Sequence, residues 1–247
     1  MEISNKSFFF EGDHRAVILF HSFTSDPIDN RTLARAINRE GYTVYGPTFS
    51  KHDDEKFEAV LEINPRQWFK DGEEAVGIMK NKGYSSIVVA GVSLGGIVAT
   101  NLVVNHSELK GGGTFCSPMI KGFDTNTPIE FWERFMNEKK KEGLSKEVID
   151  SYQDDITQKV VKVLDGLDLK KEEILPKLGD IRCPMFVAQG GKDQTIDPTQ
   201  AYDFKEQLKN AKVSFHWYQD GEHLITMGNY RKQLLNDFLL FLEEIDW

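Results

Sequence analysis

The chain has 247 residues, 40% of them hydrophobic and 28% charged, enough apolar material for a sizeable core and enough charge to keep a surface wet. Its 30 Lys and Arg against 39 Asp and Glu leave a formal net charge of -9, which repels phosphate backbones and anionic lipid and argues against nucleic acid as a partner. Two cysteines are too few for a disulfide framework; residues 1–10 carry one Lys and a three-Phe run, short of a secretory signal, and no stretch is long enough for a membrane span, so a cytoplasmic protein without stable membrane insertion is expected.

Short apolar runs alternate with longer amphipathic ones, the pattern of a mostly parallel sheet covered by helices. Residues 16–20 read as a strand that ends in the polar cluster from His21 to Pro27. Residues 30–40 carry Leu33, Ala34 and Ile37 at helical spacing and stop at Gly41, a natural C-terminal position. Residues 42–45 form the next strand, and a polar loop follows with His52, Asp53 and Asp54. Trp68, Phe69, Ala75, Ile78 and Met79 line one face of a helix over 65–82 that stops at Gly83. Residues 86–90 are a buried-strand run, the helix 97–105 follows closely, and 111–116 is another strand. For about sixty residues the rhythm then breaks: 128–141, 145–152 and 154–178 are helix-prone and charge-rich, and 119–179 is expected to be a helical cap inserted in an α/β core of 1–118 and 180–247. The rhythm resumes with strands 184–189 and 213–218 and helices 198–209 and 229–244.

Gly91-Val92-Ser93-Leu94-Gly95 is a G-x-S-x-G motif lying between a strand and a helix, the setting of a nucleophile elbow. Small residues must flank such a serine because it sits on a tight, strained turn. A hydroxyl needs a base to take its proton, and six histidines are available. His14 precedes the first long strand, His106 lies near a helix end, and His216 points away from the apolar face of Val213, Phe215 and Trp217, so these three read as surface or structural, and His52 as part of a polar loop. His223 lies beyond a strand end and before the last helix, where functional loops of open α/β sheets gather. The acid that orients it falls between Ser93 and His223 in this chain order. Asp193 follows a strand directly; Asp197 precedes Pro198, where capping the next helix accounts for it, so Asp193 is preferred and Asp197 remains the alternative. Backbone donors for an oxyanion are expected from Leu94, after the nucleophile, and from the loop His21-Ser22-Phe23-Thr24.

These residues resemble the α/β-hydrolase carboxylesterases, in particular the small bacterial thermostable carboxylesterases that are similar to monoglyceride lipases. That group's first loop reads His-Gly-Phe-Thr-Gly, matched by residues 21–25; Asn64-Pro65, Trp68 to Asp71, the elbow from Gly91 to Gly96, Cys183-Pro184, the loop around His223 and the tail from Phe241 to Trp247 also look like its pattern. The resemblance implies an α/β-hydrolase fold and hydrolysis of short- to medium-chain carboxylic esters without a cofactor, monoacylglycerols being one candidate class. It further implies Ser93, Asp193 and His223 as triad, Phe23 and Leu94 as oxyanion donors, and a small cap over an apolar acyl pocket. Ser22 and Ser25 stand where the family usually has glycine; a positive φ at either would strain a serine by on the order of 1 kcal/mol.

The expected protein is therefore a serine esterase acting on a small-molecule ester, with no metal, since no cluster has ligand spacing. A thioesterase or acyltransferase would use the same triad, and a weakly catalytic binding protein would keep the same pocket. Oligomeric state is left open.

Overall fold

A computed structural model describes residues 6–120 and 125–247. The first five residues, within the segment read above as too short for a signal, and residues 121–124, within the expected cap, lie outside it. Seven strands form one sheet: β1 (Phe8–Phe10), β2 (Arg15–Phe20), β3 (Thr43–Gly46), β4 (Ser86–Val92), β5 (Gly111–Phe115), β6 (Met185–Gly190) and β7 (Val213–Tyr218), in the order β1-β3-β2-β4-β5-β6-β7. Only β1 runs antiparallel, pairing Phe8 with Gly46 and Phe10 with Val44. β1 carries no local signal in the sequence, because a three-residue run has too few positions to show a period.

The buried strands send alternate residues to opposite faces. On one face Ala16, Ile18, Phe20, Ile87 and Val89 pack against α2 (Arg66–Asn81) and α3 (Leu94–Asn105). On the other, Val17, Leu19, Val88 and Ala90 meet α1 (Arg31–Arg39) and α8 (Arg231–Glu243). Helices on both faces require parallel strands to be apolar throughout, which is why β4 reads Ser-Ile-Val-Val-Ala-Gly-Val rather than alternating with polar residues.

Between β5 and β6 the chain forms α4 (Thr127–Lys141), α5 (Lys146–Asp150) and α6 (Gln153–Ile174). Their apolar stripes, with Phe131, Phe135, Ile149, Ile156, Val160 and Val163 buried, join the larger core cluster. The helix expected over 198–209 is shorter, α7 (Gln200–Gln207). The Asp197 carboxylate instead accepts the N–H and hydroxyl of Thr199, at 2.8 and 2.7 Å, in a turn ahead of it.

Candidate active site

Ser93 stands between β4 and α3 with φ 52° and ψ -114°. A side chain in this left-handed region costs on the order of 1–3 kcal/mol and persists only where the surroundings enforce it. Here they do: the Ser93 N–H donates to Phe115 O at 3.0 Å, and the strand and helix close so tightly that a Cβ on Gly91 would lie 2.3 Å from the Gly95 carbonyl carbon. A Cβ on Gly95 would lie 2.5 Å from Phe20 O. The flanking glycines are thus demanded by backbone contacts, and the serine is left half-buried at the sheet's carboxyl edge.

Asp193 and His223 come from the loops after β6 and β7, neighbours paired in parallel from Met185–Val213 to Gly190–Tyr218. Their ends are laced by Gly191 N–H to Tyr218 O and Lys192 N–H to Gly221 O, both 2.8 Å. The Asp193 side chain is fully buried and its Oδ2 accepts His223 Nδ1–H at 2.7 Å. Gln189 Nε2 donates to the same oxygen at 3.0 Å, while Oδ1 accepts the N–H groups of Thr195 and Ile196 at 3.0 and 3.1 Å. A carboxylate that meets four donors is held in one orientation. The structure thus brings Asp193 to His223 and leaves Asp197 in its turn. Beneath both loops lies the buried Cys116, the last residue of the strand expected over 111–116. Its Sγ accepts Gly190 N–H at 3.3 Å and donates to Glu222 O at 3.7 Å. Burial, reinforced by the nearby Asp193, pushes this thiol far above its ordinary range, so it remains the neutral donor that joins the two loops.

The N–H groups of Phe23 and Leu94 have no acceptor among the described residues, and both residues line the same cavity as Ser93 and His223. Ser93 and His223 share that cavity without a direct hydrogen bond between them. The strain expected at Ser22 and Ser25 is absent: neither has a positive φ, so the turn is open to any L residue. The serines instead pair, Ser22 Oγ donating to Ser25 Oγ at 2.9 Å and Ser22 N–H to the same oxygen at 3.1 Å.

His52 does lie in a loop, but its side chain is turned inward. It is buried against Trp68, ring centroids 5.6 Å apart, and its Nε2 lies 2.8 Å from Phe23 O. A non-local acceptor, invisible in the local run of polar residues, drew it inward. Three other histidines do not line the cavity. His14 is exposed, His106 sits between Glu73 and Glu108, and His216 stacks on Phe186 beside Ser214 and Asp237.

The cavity has a volume of about 480 Å³. Leu94, Ile97, Ile196, Leu164 and Leu167 supply apolar wall, the last two from α6, where the buried Lys171 pairs with Asp168 at 2.6 Å. Helix α4 touches the loop after β2 and the loop after β6. Phe131 stacks on Phe23 at 5.8 Å, Arg134 donates to Thr24 O, and Glu130 accepts the Thr195 hydroxyl at 2.8 Å. Among the described residues no group of three or more His, Cys, Asp or Glu is arranged to hold a metal ion, and no helix is long and apolar enough to cross a membrane.

A mostly parallel sheet in this order, with a serine on a strained strand-to-helix turn and an acid and a histidine beyond later strands, defines an α/β hydrolase. The chain belongs to the Hydrolase_4 family, the serine aminopeptidase S33 group, whose sequence profile matches residues 12–229. It is 29% identical over 245 residues to a carboxylesterase of Bacillus subtilis (strain 168), covering 99% of both chains. It is 32% identical over 104 residues to a thermostable monoacylglycerol lipase of Bacillus sp. (strain H-257), covering 42% of this chain and 41% of that one. Among solved structures, one of a metagenome-derived lipolytic enzyme superposes with a TM-score of 0.73 at 16% identity over 98% of both chains, a likeness of fold.

Proposed function

We propose that the protein is a carboxylesterase that hydrolyses short- to medium-chain carboxylic esters through an acyl-enzyme on Ser93. What supports it is one arrangement: Ser93 opens onto a cavity shared with His223, His223 is held by a buried Asp193, and Phe23 and Leu94, whose N–H groups have no acceptor among the described residues, line the same cavity. Asp193 accepts His223 Nδ1–H, so Nε2 carries the free lone pair and takes the Ser93 proton as the hydroxyl attacks the ester carbonyl. The developing oxyanion is met by the Phe23 and Leu94 N–H groups, backbone donors of the kind that stabilise charge as it forms. His223 returns the proton to the leaving alcohol, which departs; water, deprotonated by the same imidazole, then releases the acid. The helices α4 to α6 act as a cap that supplies the apolar wall for the acyl chain. The carboxylesterase of Bacillus subtilis, similar along the whole chain, points to the same chemistry.

The test is a chain-length series of chromogenic esters with the purified protein and its Ser93→Ala variant. Turnover should fall by on the order of 10⁴-fold or more in the variant at unchanged melting temperature. A fluorophosphonate should modify the wild-type chain at Ser93 alone. Labelling of another serine, or turnover surviving the substitution, rules the assignment out.

A further inference from the structure

The donor that Phe23 offers an oxyanion belongs to the peptide unit between Ser22 and Phe23. That unit is planar and trans, so its N–H and C=O point in opposite directions, and whatever fixes the carbonyl aims the donor. The Ser22 carbonyl accepts two hydrogen bonds: from His21 Nδ1–H at 2.8 Å, buried, and from Ser25 N–H at 3.4 Å. The imidazole is fixed in turn, because its Nε2 accepts the Phe49 N–H at 3.1 Å, in a buried contact with the Phe49 ring centroid 4.7 Å away. A nitrogen that accepts carries no proton, so the Phe49 N–H selects the tautomer whose proton is on Nδ1, facing Ser22. The next peptide unit is held as well, by His52 Nε2–H donating to Phe23 O.

We infer that His21 is a positioning residue for the oxyanion site: in its Nδ1–H tautomer it pins the Ser22 carbonyl and thereby points the Phe23 N–H into the catalytic cavity. A donor bonded to the carbonyl also polarises the peptide unit and strengthens its N–H as a donor. The arrangement requires a neutral ring, since a proton on Nε2 would set two donors against each other at Phe49. The surroundings favour that state: His21 is 1% exposed, and burial, then the facing His52 and the nearby Lys6, hold its pKa well below the ordinary histidine range despite the bond to Ser22. The role rests on the proposed use of Phe23 as an oxyanion donor in ester hydrolysis.

The test compares His21→Asn with His21→Phe. The asparagine side chain carries its NH₂ on Cγ, as histidine carries Nδ1, so it can still donate to Ser22; phenylalanine fills the space with no donor. Ester kcat should fall between tenfold and hundredfold in His21→Phe, with KM within about twofold, and stay within about threefold of wild type in His21→Asn. Binding of an alkyl boronic acid, which mimics the tetrahedral state at Ser93, should weaken by the same factor as kcat. A His21→Phe enzyme with wild-type kcat, or an equal loss in a His21→Asn enzyme that melts normally, overturns the inference. Because either variant can fail to fold, ¹⁵N NMR of the wild-type chain supplies a second arm: His21 should carry its proton on Nδ1 at neutral pH, and a proton on Nε2 overturns the inference outright. Failure of the function itself is distinct, since it would show as activity surviving in Ser93→Ala.

Discussion

Replacing Asp193 by asparagine changes one atom in a place where every contact is a donor. Oδ1 accepts two backbone N–H groups, Oδ2 accepts His223 Nδ1–H and Gln189 Nε2–H, and the side chain is fully buried. An asparagine must put its NH₂ on one side or the other. The backbone donors of Thr195 and Ile196 cannot turn away, so the amide oxygen takes the Oδ1 position and the NH₂ faces His223. Nδ1 then becomes the acceptor, and the imidazole proton moves to Nε2, the atom that should receive the Ser93 proton. A wrong tautomer of this kind costs on the order of 10⁴-fold in kcat, about 5.5 kcal/mol of barrier. Stability should also fall, because the new NH₂ opposes Gln189 Nε2–H, whose amide is already committed to Gly190 O at 3.1 Å. One such buried conflict costs about 1–3 kcal/mol, which lowers the melting temperature by roughly 2–12 °C in a chain of this size. Asp197→Asn, whose side chain only accepts from Thr199, should keep most activity. The assay is kcat and KM on a chromogenic ester alongside thermal melts. An Asp193→Asn enzyme with more than a tenth of wild-type kcat, or a greater loss in Asp197→Asn, would refute the reasoning.

Three further expectations concern stability. Burial first, then the adjacent Asp26, raises the Asp29 carboxyl above its ordinary range, so the folded chain resists its ionisation and loses stability as pH rises from about 4 through the folded value. Asp29→Asn should therefore melt above the wild type at pH 8 and lose that advantage toward pH 4; an equal difference at both pH values would contradict the sign. Gly77 lies inside α2 with nothing within 4 Å of an added Cβ, so Gly77→Ala should stabilise by about 0.5–1 kcal/mol in denaturant titration. Gly95→Ala should instead destabilise severely and cripple turnover, because its Cβ would meet backbone at 2.5 Å. A Gly95→Ala enzyme with wild-type melting and kcat would mean that the elbow has slack the contacts do not show.

Much of the architecture is legible in local patterns. Ile18, Phe20 and Val89 announce one sheet face and Val17, Leu19 and Val88 the other, because side-chain period follows directly from strand geometry. The elbow is equally local: Gly91, Ser93 and Gly95 lie within five residues between a strand and a helix, and the turn that joins those elements needs small neighbours whatever the rest of the chain does. Even the distinction between Asp193 and Asp197 is written locally, in the Pro198 that follows the second. What the tertiary structure alone decided is the partner of each buried polar group. Asp193 and His223, thirty residues apart, meet because β6 and β7 pair in parallel and end together. His21 and His52 read as loop residues until Phe49 N–H and Phe23 O are placed beside them, and Cys116 reads as core filler until two loops close over it. Serines at 22 and 25 look strained only while the turn's φ angles are unknown. The reason is physical: periodicity and turn chemistry report interactions a few residues long, whereas a hydrogen bond's partner and a histidine's tautomer are selected by groups that only the packed sheet brings within hydrogen-bonding distance.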